Sequence, residues 1–386
     1  MSDGGAPGPG DFRARFPICE HSAHLASCSL GAQSDRSMDA MAEFMATWRE
    51  HGAPWQEWTR VAGQARDAFA RIVGALPDEV AALPNASAGA YQIASTLCWD
   101  RRSTIVTCDM EFPSVAHVWL AQRPRGARVV YAPERGGVVA AADYLRLIDE
   151  RTALVSVPLV SYRNGARLPV TEITRAAREV GARVFVDAYQ AAGVLPVDVR
   201  ELGCDYLVAG TLKYLLGAPG LAFLFVRDGL AQDRDPQLTG WFGRRDPFAF
   251  DPRGLDFPGA ARRYETGTPA IPAAYASFAG MSLIEELDQR AVETHVTGLA
   301  AVLTDDLRRD GETLHSPRDA SRRGPMVAVL TGDPGHLGGF LADRGVVASP
   351  RGAAVRLSLH YYTDTGDLAR ARAALREYRA SYGGRP

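Results

Sequence analysis

Ala209-Gly210-Thr211-Leu212-Lys213-Tyr214-Leu215-Leu216-Gly217 holds the only lysine in a chain of 386 residues. Lysine and arginine together number 43, so every other basic residue is arginine. A chain that uses arginine wherever a generic positive charge serves has kept one primary amine. The guanidinium stays protonated and delocalised, whereas an ammonium can lose its proton and attack a carbonyl carbon. Lys213 is therefore read as a catalytic amine rather than a leftover surface charge.

Working back from Lys213, the run Val184-Phe185-Val186-Asp187-Ala188-Tyr189-Gln190 puts an acid at the end of an apolar strand. A second strand over Asp205 to Ala209 ends just before the lysine. Similar short apolar runs stand at Val80–Leu83, Thr104–Thr107, Arg128–Tyr131, Ala153–Val157 and Ala222–Val226, with amphipathic stretches between many of them (Ala141 to Glu150, Thr171 to Val180). Alternation of this kind predicts an α/β fold with a mostly parallel sheet covered on both faces. Ligands of such sheets bind at the carboxyl ends of the strands, where Asp187 and Lys213 would share one crevice. An aspartate alone at a strand end is as well explained as a turn cap. Paired with a lone lysine, it supplies what pyridoxal 5'-phosphate needs: an amine for its aldehyde and a carboxylate for its ring nitrogen.

The segments Asp187-Ala188-Tyr189-Gln190-Ala191-Ala192-Gly193, Pro196-Val197-Asp198-Val199 and Thr211-Leu212-Lys213-Tyr214-Leu215-Leu216-Gly217 resemble the class V aminotransferase family, from Ser27 to Arg356. The resemblance implies the fold type I architecture, with a seven-stranded sheet, a smaller C-terminal α+β domain and pyridoxal 5'-phosphate as cofactor. It further implies Lys213 as the Schiff-base lysine, Asp187 as partner of the ring nitrogen and Gln190 as partner of the ring 3'-oxygen. Ser87 and the amides of Ala88 and Gly89 would cradle the phosphate at a helix N-terminus, where unpaired N–H groups favour an anion. Thr211 would be a further phosphate ligand. Phe112 in Glu111-Phe112-Pro113-Ser114 and Tyr162 in Ser161-Tyr162-Arg163 follow the kynureninase-like pattern of aromatics beside the cofactor. Gly267 and Thr268, in Tyr264-Glu265-Thr266-Gly267-Thr268-Pro269, match a turn that reaches a dimer partner's phosphate, which implies a homodimer with shared sites. Arg356 would grip the substrate carboxylate, with Ser29 and Trp241 also at the substrate.

Three parts are expected: residues 1–55 packing on the small domain, 56–272 as the large cofactor domain, and 273–386 as the small domain. Residues 231–268 lack a clear period and are read as a long ordered loop, and Met1–Gly10 as a flexible tail without a signal peptide's apolar core. A net charge of -2 and interspersed charges give no sign of a nucleic-acid or membrane partner. Five scattered cysteines and eight histidines show neither disulfide nor metal spacing, and a cytoplasmic location is expected. No cysteine follows Cys204, so the thiol that a desulfurase carries before its carboxylate-binding arginine is missing from Val346–Gly352, where Ser349 and Arg351 are expected to border the substrate pocket instead. The activity expected is a C–S lyase, eliminating the β-substituent of an S-conjugated cysteine as in lincosamide- or ergothioneine-type pathways. Transamination, epimerisation and oxidative deamination with decarboxylation are the alternatives. A non-catalytic sensor domain fits less well, because no helix-turn-helix pattern precedes the fold, and a nicotinamide enzyme lacks the Gly-rich fingerprint.

Overall fold

The computed structural model describes residues 6–382. Its centre is a seven-stranded sheet: β1 (Val80–Leu83), β2 (Thr104–Cys108), β3 (Arg128–Ala132), β4 (Thr152–Pro158), β5 (Arg183–Asp187), β6 (Tyr206–Gly210) and β7 (Ala222–Val226). Their order across the sheet is β1-β7-β6-β5-β4-β2-β3, and only β7 runs antiparallel to its neighbours. All seven strands lie where the apolar runs predict them.

Side chains alternate between two cores. Val184, Val186, Leu207, Phe223 and Phe225 face one layer of helices, and Phe185, Val208 and Leu224 face the other. Both sides are thus dry, as continuous apolar strands require. Phe69 of the Trp55–Ile72 helix stacks on Phe223 at 4.8 Å, and Trp119 of the Pro113–Leu120 helix meets Phe185 edge-on at 5.2 Å. Each buried ring contributes about 2–3 kcal/mol.

A second sheet is antiparallel, with Ala354–Ser358 between Ser349–Arg351 and Met326–Leu330. Helices Gln289–Arg309 and Pro334–Ala342 back it, and Thr365–Tyr382 packs against both of these helices and against the strands Ala23–His24 and Val346–Val347. The N-terminal segment joins this part of the molecule: Ala23–His24 pairs with Val346–Val347, and Arg13 clasps both carboxylate oxygens of Asp367 at 2.7 and 3.1 Å.

Several expectations need correction. Residues 1–5 of the presumed tail lie outside the described residues, but Pro9–Arg13 is a helix whose Phe12 is buried. The Asp35–His51 helix does not lie on the small sheet. Its Phe44 packs with Trp58 and with Tyr275 of the Ile271–Glu285 helix, at 5.5 and 5.6 Å. A boundary at residue 273 therefore falls inside a helix that belongs to this cluster. The helix expected over Ala141 to Glu150 stops at Leu145, because Asp149 and Thr152 close a hydrogen-bonded turn into β4. Residues 231–268 form a long loop with three single-turn helical segments.

The turn carrying Lys213 is held by close backbone approaches. A Cβ on Gly31, Gly193 or Gly280 would overlap the carbonyl oxygen of Lys213, Tyr214 or Leu216 respectively. Leu216 itself sits at φ 58, a conformation that an L-residue keeps only when its surroundings enforce it. Gly193 is doubly constrained, since its own φ is +96. Gly193→Ala should lower stability by about 2 kcal/mol or more, measured as a shift of the urea midpoint; a change within a few tenths would contradict this packing.

Candidate active site

β1, β2, β4, β5 and β6 all deliver their carboxyl ends to one cavity of about 290 Å³ between the two sheets. The chain leaving each strand supplies part of its wall: Asn85 to Ser87 after β1, Phe112 after β2, Tyr162 after β4, Tyr189 and Gln190 after β5, and Lys213 after β6. β5 and β6 are adjacent and parallel, with Asp187 level with Val208. Asp187 and Lys213 consequently face the same space, as their spacing predicts.

The Lys213 side-chain amine forms no ion pair or hydrogen bond among the described residues. Its Nζ lies 4.2 Å from the centre of the Tyr189 ring and 5.5 Å from that of Phe112. Burial lowers its pKa to about 8; Asp187 opposes the shift, while Arg356 and Arg351 add to it. Burial also raises Asp187, against the pull of the Tyr189 N–H, which donates to Oδ1 at 2.9 Å, and of Lys213. A cation brought against this carboxylate would restore its charge. Behind it stands Glu111, also raised, first by burial and then by Asp187. Glu111 accepts from the Ser156 and Thr107 hydroxyls and from the Phe112 N–H, and so fixes the start of the Phe112 segment.

Gln190 donates through Nε2 to the Cys28 carbonyl at 3.0 Å, and its Oε1 is buried without a partner. Orphaned acceptors of this kind are rare in native folds and mark a place for an absent group. Phe112 and Tyr162 meet at right angles, 4.9 Å between ring centres, and form one wall. Arg356 is 1% exposed and faces no carboxylate. It donates from Nη1 to the Tyr162 carbonyl (2.7 Å), from Nη2 to Ser349 Oγ (2.6 Å) and from Nε to the Ser349 carbonyl (3.3 Å). Three of the five N–H groups of a guanidinium are thereby used, and each terminal nitrogen keeps one. Ser29 also lines the cavity.

Other predicted residues lie elsewhere. Thr211 is buried, and its hydroxyl is directed at the carbonyls of Ala218 and Leu221 at 2.9 and 3.1 Å; it closes the lysine turn and does not line the cavity. The Ala88 N–H is taken by the Asn85 side chain and the Gly89 N–H by the Asn85 carbonyl, the ordinary capping of the Ala86–Thr96 helix. The helix start that faces the cavity is therefore Ala86 and Ser87, one turn position earlier. Gly267 and Thr268 line a separate hollow with Leu83 and Pro84, and Trp241 packs against Phe242, Phe248 and Phe250. None of these three reaches the cavity of its own chain. Arg351 lines the cavity as expected, and Ser349 is bonded to Arg356 beside it; Tyr189, Glu111 and Cys28 are site residues that the sequence did not single out. Adjacency to Asp187 and to the Phe-Pro-Ser segment was the available signal for the first two.

Residues 33–379 match the family model "Aminotransferase class-V". The chain belongs to the class V aminotransferases. It is 35% identical to an uncharacterized aminotransferase, YcbU, of Bacillus subtilis (strain 168), over 94% of this chain and 96% of that one. It is 27% identical to a kynureninase of Pseudomonas fluorescens over 88% and 84%. With a probable cysteine desulfurase 2 of Mycobacterium leprae the identity is 30%, over 90% and 86%. Among solved structures, an apo cysteine desulfurase of Thermococcus onnurineus NA1 superposes with a TM-score of 0.85 at 22% identity, covering 97% of this chain and 99% of that one. The cystine C–S lyase C-DES in complex with cysteine persulfide does so at 0.86 and 20%, over 94% and 99%. These two establish the fold type I architecture. Class V aminotransferases use pyridoxal 5'-phosphate, and the unpaired amine, the orphaned Gln190 oxygen and the buried Asp187 fit that cofactor.

Among the described residues no helix is long and apolar enough to cross a membrane, and no cluster of His, Cys, Asp and Glu is placed to hold a metal. One outcome follows from the buried amine. Modification of Lys213 in the apoprotein, followed by peptide mass spectrometry, should rise with pH through a midpoint near 8, since the neutral amine is the nucleophile. A midpoint at the ordinary lysine value of 10.5 would contradict its desolvation.

Proposed function

We propose that this class V aminotransferase holds pyridoxal 5'-phosphate on Lys213 and cleaves the Cβ–S bond of an S-conjugated cysteine. The observation that carries the first half is the sole lysine, half-buried, its amine desolvated and unpaired among the described residues, on the same cavity as Asp187 and the buried Arg356. In this reading Asp187 keeps a proton on the ring nitrogen, Gln190 takes the ring 3'-oxygen, and Ala86 and Ser87 meet the phosphate. Bound there, the cofactor supplies an electron sink for the pair released when a bond to the substrate's Cα breaks.

The chain's own residues do the rest. Arg356 receives the α-carboxylate on the two N–H groups it keeps free, one on each terminal nitrogen, which orients the amino acid with Cα beside Lys213. An amine with a pKa near 8 is suited to take the Cα proton at neutral pH and to return it. Phe112 and Tyr162 exclude water from that side. Elimination is preferred because the Ser349–Arg351 hairpin offers no thiol to accept sulfur, so the sulfur leaves on its own substituent. The net reaction takes up one water and gives a thiol, pyruvate and ammonia. Transamination is the second reading, favoured by the name of the Bacillus relative.

Two copies are proposed to share the site. Gly267 and Thr268 lie outside their own chain's cavity, and the neighbouring loop exposes Phe248 at 53%, Phe250 at 71% and Leu255 at 63%, an apolar surface that suits a second copy.

Purified protein with a panel of cysteine S-conjugates should release thiol, pyruvate and ammonia in equal amounts. Amino transfer to an added keto acid without thiol release would replace elimination by transamination. Arg356→Gln should reduce kcat/KM by about a hundredfold, the equivalent of two charge-assisted hydrogen bonds. An unchanged value would remove Arg356 from the carboxylate site.

A further inference from the structure

Arg356 is not the only arginine in the cavity wall. Arg351 lines it too, at the end of the hairpin strand Ser349–Arg351 that pairs antiparallel with Ala354–Ser358. Its register fixes which way it faces. Ser349 stands opposite Arg356, and Arg351 opposite Ala354. Side chains of a strand alternate between faces, so Ser349, Arg351, Ala354 and Arg356 share one face. Ser349 Oγ accepts from Arg356 Nη2, which identifies that face as the one turned to the cavity. Pro350, on the other face, packs where a Cβ on Gly338 of the Pro334–Ala342 helix would collide with it.

The two arginines differ in their commitments. Arg356 is buried and spends three N–H groups on Tyr162 and Ser349. Arg351 is exposed, and its guanidinium enters no ion pair or hydrogen bond among the described residues. Its cross-strand neighbour is an alanine, which leaves the guanidinium room to swing over the cavity. Along the strand it stands about 7 Å beyond Ser349, two residues at the usual rise. A cation there is close enough to act on the Lys213 amine, and among the described residues no carboxylate pairs with it.

We infer that Arg351 selects an α-amino acid whose side chain carries a second anionic group, with Arg356 taking the α-carboxylate and Arg351 the distal acid. The inference rests on the substrate orientation proposed above. For an S-conjugated cysteine, the acid would sit on the sulfur substituent that departs.

The test uses calorimetric binding to the cofactor-loaded protein of two series that undergo no reaction: succinate, glutarate and adipate against butyrate, valerate and hexanoate. At least one dicarboxylate should bind about tenfold more tightly than the monocarboxylate of equal length, the contribution of one charge-assisted contact. Arg351→Gln should abolish that difference and leave monocarboxylate binding unchanged, and Arg351→Lys should keep part of it. Equal affinities for the two series, no dicarboxylate binding at millimolar concentration, or equal losses in both series with Arg351→Gln would each overturn the assignment. An unaltered visible band in the variants confirms that the fold and cofactor site survive. A wild-type protein that takes up no cofactor would instead refute the proposed function, so the two failures are separable.

Discussion

An amine kept out of water with no carboxylate in contact is the constraint on which this molecule turns. An isolated ammonium in such a place is costly to hold, and the cost is relieved by shedding the proton. The site consequently brings the neutral, nucleophilic form of Lys213 closer to neutral pH, its pKa lowered to about 8. Rings rather than acids surround its Nζ, the nearest being Tyr189 at 4.2 Å. Asp187 is near enough to temper the effect and too far to cancel it. Two arginines on the facing hairpin reinforce it, so the same charges that suit an anionic substrate also keep the amine reactive.

Three separate stretches of chain must agree for this to hold. The large sheet presents Asp187, Gln190 and Lys213; the small sheet presents Arg356; the N-terminal segment joins them. Cys28 shows the connection most plainly, for its N–H donates to Ser358 Oγ and its carbonyl accepts from Gln190. Gly31 donates to the Leu212 carbonyl at 2.9 Å and lies against the lysine turn. Beneath the turn, neutral His360 meets the Tyr214 carbonyl through Nε2 at 3.0 Å, its pKa lowered to about 4 by burial. The small sheet is therefore tied to Gln190 and to the lysine turn through hydrogen bonds.

Much of this was legible in the residues, and the exceptions have physical reasons. Continuous apolar runs identified all seven central strands because dry strands admit little else. Lys213 and Asp187 stood out because a lone amine and a strand-end acid have few ordinary uses together. Thr211 did not follow suit: a hydroxyl serves a turn as readily as a phosphate, and here two carbonyls claim it. The part of the helix start that lines the cavity is Ala86 and Ser87, earlier than expected, because Asn85 caps the helix and takes the Ala88 N–H. Gly267, Thr268 and Trp241 could not be placed from one chain's pattern, since a motif fixes no distance across the fold. Tyr189 and Glu111 act through burial and geometry, which composition does not encode.

Attachment of the cofactor to Lys213 is the property on which the proposed chemistry depends. Protein loaded with pyridoxal 5'-phosphate, reduced with borohydride and digested should carry the phosphopyridoxyl mass on the peptide containing Lys213, and Lys213→Arg should carry none. A label found elsewhere, or no label on a protein that is folded and exposed to the cofactor, would contradict the central claim.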